Sequence, residues 1–131
     1  MITITKKLDL PDTYPLDRIG PLSELLFFDI ETTGFSGDSS NLYLIGCTYF
    51  QDGCWNLIQW FADTAAAEPE LLDSFFSFLK NYKILIHFNG DGFDIPYLLK
   101  RCRHLKKDYD FSALIFTKKS DHTENYWDWK A

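Results

Sequence analysis

The apolar positions of this chain fall into blocks of two kinds, separated by short polar breaks. LLFFDI, from Leu25, is a compact apolar run of strand length. NLYLIGCTYF and CWNLIQWF are β-branched and aromatic runs joined by Gln51, Asp52 and Gly53, which predicts a hairpin. In Glu68 to Asn81 the spacing changes. Leu71, Leu72, Phe75, Phe76, Phe78 and Leu79 follow a helical period, so this block reads as a crossover helix. Lys83 to Phe88 returns to strand character, and a second helix is expected from Asp94, with Pro96 in its first turn and Tyr97, Leu98, Leu99 and Cys102 as its inward stripe. The predicted order is three antiparallel strands, a helix, a fourth strand parallel to the first, and a helix. That is an α/β chain with a mixed sheet. Residues 1–22 hold Pro11, Pro15 and Pro21 and read as an irregular lead-in packing across the sheet. Residues 23–112 form the domain proper, and residues 113–131 are an atypical tail without amphipathic period, crowded with Tyr126, Trp127 and Trp129.

Two strand ends carry the candidate chemistry. The first strand ends in Asp29 and Glu31, and alternate residues of a strand share a face, so both carboxylates can offer oxygen to one hard cation such as Mg²⁺ or Mn²⁺. A solvated acidic edge has the same pattern, so the motif needs support. It comes from HFNGDGFDIPYLLKRC, where a second apolar strand runs into Asn89 and then Asp94 at a helix start, a natural place for a phosphate. Parallel pairing of the two strands would bring Asp29, Glu31 and Asp94 to one sheet edge, at the carboxyl ends where open α/β sheets place their sites. Asp91, flanked by glycines, reads as a turn residue, and His87 as a core residue rather than a base.

DIETTG resembles the first motif of the DEDD-type 3′-5′ exonucleases of the ribonuclease H-like superfamily, and HFNGDGFDIPYLLKR resembles the second motif in its YprB-like version. The likeness spans about Leu25 to Arg103. It implies a ribonuclease H-like sheet and two-metal hydrolysis of phosphodiester bonds in DNA or RNA, using Mg²⁺ or Mn²⁺. Asp29 and Glu31 would bind metal directly, Asp94 directly or through water. Thr32 and Thr33 would line the terminal nucleotide of a single-stranded end, and Asn89 would bond to the substrate or brace its loop. The resemblance then stops. The family places a last Asp four or five residues after a Tyr or His, whereas Tyr109 and Tyr126 are followed at the fourth position by Ala113 and Lys130, and His122 at the fifth by Trp127. A chain truncated in this way is expected to be inactive as written.

The tail has a further reading. Back-translated with ordinary codons from Ala113 and read two bases later, it gives FDIYKKIRPYRKLLGLE, a strand-like start, a basic segment and a Leu-rich ending that resemble the stretch after the second motif in YprB-like domains. A frameshift near Ser112 or Ala113 would account for it.

Composition narrows these readings. With 46% hydrophobic and 18% aromatic residues the chain can bury a core and is not disordered. A net charge of −6 argues against binding nucleic acid through a broad basic surface, although not against a nuclease that grips a few nucleotides. Lys100, Arg101, Arg103, His104, Lys106 and Lys107 form a cation cluster that would either line a nucleic-acid path or face water. Cys47, Cys54 and Cys102 lack zinc-site spacing and are expected to be reduced thiols. Neither a membrane span nor a signal peptide is expected, which suggests the cytoplasm. The competing readings are a non-catalytic ribonuclease H-like module binding nucleic acid or protein, and an endonuclease on the same fold.

Overall fold

The computed structural model describes residues 1–9, 20–87, 94–109 and 115–118, the last as backbone alone. The strands are β1 (Ile2–Leu8), β2 (Leu25–Thr32), β3 (Leu42–Gln51), β4 (Cys54–Phe61), β5 (Ile84–His87) and β6 (Ile115–Lys118); the helices are α1 (Glu68–Leu79) and α2 (Ile95–His104). One six-stranded sheet results, in the order β1-β4-β3-β2-β5-β6. The expected fold class holds: β2, β3 and β4 are antiparallel, α1 crosses over, and β5 lies parallel to β2 with Leu25 beside Ile84 and Phe28 beside His87.

The β3–β4 hairpin turns where the sequence places it. Asp52 and Gly53 both have positive φ (54° and 78°), the backbone that a two-residue turn needs to match strand twist. β2 is apolar without alternation because both of its faces are covered. Leu26, Phe28 and Ile30 pack with Ile45, Cys47 and Trp60 against α1 and α2, through Leu71, Leu72, Phe75, Ile95 and Leu98. Leu25 and Phe27 join Ile84 and Ile86 on the opposite face, with Leu22 and Trp55 against them. Phe28 and Trp60 both meet Phe75, at 5.8 and 6.3 Å between ring centroids, which seats α1 over the centre of the sheet.

Two expectations need correction. The lead-in is not irregular throughout, since Ile2–Leu8 pairs along β4 from Ile2 beside Phe61 to Leu8 beside Trp55. Its alternating Ile and Thr residues favour a strand, and the prolines begin only at Pro11, past the paired segment. Residues 10–19 lie outside the described residues. The sheet also continues into the tail, where β6 runs parallel to β5 with Ile84 beside Ile115 and His87 beside Lys118. Among the described residues no helix is long and apolar enough to cross a membrane.

Candidate active site

Burial of Phe28 and Ile30 on the helix-covered face turns Asp29 and Glu31 toward the other face, where both are exposed. Their cross-strand neighbours are Gly46 and Leu44, so no side chain stands beside Asp29 from β3. The register slips between Glu31 and Thr32, and the chain leaves the sheet there. The Thr32 hydroxyl donates to the Gly34 carbonyl at 2.7 Å, and the Thr33 hydroxyl accepts from the Asn41 amide at 2.9 Å. Both threonines therefore shape the loop that follows the acidic strand.

Asp94 arrives from the neighbouring strand. It precedes α2 as its cap residue but makes no side-chain capping bond, although it is only 6% exposed. Burial, then the charges of Asp29 and Glu31, push its carboxyl up from 3.8 to about 6. Asp94 thus lies within electrostatic reach of the other two acids named by the sequence. Among the described residues, no group of three or more His, Cys, Asp and Glu side chains is gathered closely enough to hold a metal ion. The donor set, carboxylates without thiol or imidazole, nevertheless has the chemistry of a hard-cation site. Asn89 and Asp91 lie outside the described residues. His87 is fully buried, edge-on to Phe28 at 6.2 Å, in the core as expected.

A buried network ties the loop to both helices. Arg101 donates from Nε and Nη2 to the two Glu68 oxygens at 2.7 and 2.6 Å, and from Nη1 to the Gly37 carbonyl at 2.9 Å. Glu68 also accepts from the Leu42 amide and the Asn41 side chain, each at 3.1 Å. The Ser40 hydroxyl lies 2.7 Å from that of Tyr97. The cation cluster read from the sequence is therefore dispersed. Arg101 is buried, Lys100 and His104 pair with Asp38, and Lys107 pairs with Asp73. Their acidic partners lie far along the chain, which is why a linear run of charge did not become a patch.

Two features escaped the sequence reading. The Glu68–Arg101 pair joins residues 33 positions apart, and only the fold brings them together. Phe35, directly after DIETTG, is 94% exposed. A lone Phe between Gly34 and Ser36 was the available signal.

The family model described as the RNase_H superfamily matches residues 26–128. The chain belongs to the RNase H superfamily. It is 33% identical over 91 residues to a DNA polymerase of Thermococcus aggregans, covering 63% of this chain and 5% of that protein. A DNA polymerase of Ostreid herpesvirus 1 is 34% identical over 61 residues, covering 44% of this chain and 3% of that one. Among solved structures, the family B DNA polymerase of Pyrobaculum calidifontis aligns with a TM-score of 0.62 at 17% identity, over 76% of this chain and 16% of that one. This RNase H domain thus spans a small fraction of the polymerases it resembles. The family match runs to residue 128 and so extends into the tail.

Proposed function

We propose that this chain derives from a metal-dependent 3′-5′ exonuclease of the DEDD type, close to the YprB-like domains, acting on single-stranded ends of DNA or RNA in the cytoplasm. The observation that carries the reading is the placement of Asp29 and Glu31 at the end of β2, parallel to and beside β5, with buried Asp94 at the head of α2, its carboxyl raised by burial and by their charges. Asp29 and Glu31 would hold Mg²⁺ or Mn²⁺, with Asp94 completing the set. Bound ions supply the positive charge that activates a water and stabilises the leaving oxygen in phosphodiester hydrolysis. Thr32, Thr33 and Asn89 would bind the terminal nucleotide, and the N-terminus of α2 would attract its phosphate. Exposed Phe35 offers an aromatic face on which a base can stack.

Residues 113–131 do not carry the third motif at the family's spacing, and we propose that a frameshift near Ser112 has altered the family continuation, even though the family match itself runs to residue 128. β6 does not count against this. That strand needs only a short β-prone run, which Ile115, Phe116 and Thr117 supply in the present frame and which a continuation with the proposed FDIY start would supply as well. In a chain restored to the shifted frame, Mg²⁺ or Mn²⁺ should drive loss of terminal nucleotides from a linear single strand, and a circular strand should be spared. Asp29→Ala or Asp94→Ala should abolish the activity; digestion that persists in either variant refutes the site assignment.

A second reading, a non-catalytic binding module, is favoured by the lack of a preformed three-acid cage among the described residues. It predicts strand-end binding that is weakly metal-dependent and unchanged by Asp29→Ala.

A further inference from the structure

Asp29 and Glu31 sit on β2 and Asp94 sits at the head of α2, so the acidic site depends on how firmly α2 is held against the loop that leaves β2. Mutual repulsion of the carboxylates pushes these elements apart. The structure holds them together on the far side of the loop. Arg101 lies seven residues beyond Asp94 on the same helix, about 10 Å along its axis. Its guanidinium engages Glu68 through both oxygens and reaches the Gly37 carbonyl, while Glu68 takes the Leu42 amide where β3 begins. Both side chains are buried, at 8% and 1% exposure. The loop also meets α2 through the Ser40–Tyr97 hydroxyl pair. It approaches so closely that a Cβ at Gly37 would lie 2.7 Å from the Lys100 Cβ. One residue type fits each contact: a planar fork at 101, and no side chain at 37.

We propose that the Glu68–Arg101 pair is a positioning device that sets the placement of Asp94 against Asp29 and Glu31, so that metal affinity is governed by a contact outside the acidic site. This rests on the metal-site reading above. Neither residue touches metal or substrate. Each acts through backbone: Arg101 through α2, and Glu68 through the entry to β3.

The test is Mn²⁺ binding to the full chain, followed by the electron paramagnetic resonance of unbound Mn²⁺, with circular dichroism confirming the folded state of each variant. Arg101→Lys keeps the charge but loses the fork, and Gly37→Ala keeps every charge but wedges the loop from α2. Each should weaken Mn²⁺ binding by roughly 10- to 100-fold, the range found when support of a ligand is lost, while Asp29→Ala abolishes it. A purely structural role would lower the melting temperature and leave the affinity of the folded protein unchanged, and that result in either folded variant overturns the proposal. If Arg101→Lys fails to fold, Gly37→Ala decides alone. Failure of the wild-type chain to bind Mn²⁺, or binding that survives Asp29→Ala, overturns the metal-site reading itself. Wild-type binding lost in Asp29→Ala but intact in Gly37→Ala overturns only the positioning role.

Discussion

Asp94 is the residue at which site and stability conflict. Its folded carboxyl titrates near 6, against an ordinary value of 3.8, so the folded chain binds this proton more tightly than the unfolded chain. The stabilising protonated form is fully present below about 4 and is lost as pH rises through 6. At pH 7.5 without metal, Asp94→Asn should therefore be more stable than the wild type. The full displacement corresponds to roughly 3 kcal/mol, and solvent screening around exposed Asp29 and Glu31 reduces it to about 1–2 kcal/mol. Urea denaturation at pH 7.5 and pH 4 checks this. The advantage should be present at the first pH and vanish at the second, and an advantage that persists at pH 4 would assign it to packing instead. Phe35 gives a second prediction at this scale. Phe35→Ala should weaken binding of a single-stranded oligonucleotide by about 1–3 kcal/mol, since its ring is 94% exposed and open to a stacking base. Fluorescence anisotropy with a labelled strand end measures it. The common face of Asp29 and Glu31 and the position of Asp94 at a helix start were legible because strand periodicity and helix-start signals are local. Arg101 was not, because a buried cation declares itself only through a distant partner.

At the scale of elements, local signals predicted local structure and failed where pairing is remote. The β3–β4 hairpin follows from Asp52 and Gly53, and α1 from the spacing of Leu71, Leu72, Phe75, Phe76 and Leu79. β1 was missed because its residues are exposed on both sides and only its partner β4 stabilises it. The same division governs how α1 and α2 are joined. Removing one half of a buried ion pair leaves an uncompensated charge, so Arg101→Met should destabilise the fold by about 3–5 kcal/mol. Adding Glu68→Leu should recover part of that loss. Recovery should stay incomplete, because the Leu42 amide and the Gly37 carbonyl would each lose a partner. A double-mutant cycle in urea measures the coupling. Purely additive effects would show that the pair does not act as a unit.

For the whole molecule, the sheet is unevenly covered. Both described helices pack on one face, with Leu26, Phe28, Ile45 and Trp60 beneath them. On the other, Leu25, Phe27, Ile84 and Ile86 are buried near β5, while Leu44, Phe50, Leu57 and Phe61, on the same face by register, are only half-buried. A sheet of this kind buries such a face against further chain, and the proposed frameshift predicts that the restored frame encodes a Leu-rich helix able to supply that cover. Resequencing the gene from the Asp94 codon past the stop should find that frame open. Protein made from it should melt higher than the present chain and bind less of a hydrophobic dye, because the half-buried face gains a partner. An intact present frame with nothing family-like in the shifted one would sink the frameshift. So would equal melting and equal dye binding by the two chains, since β6 and the residues after it would then already complete the sheet as they stand.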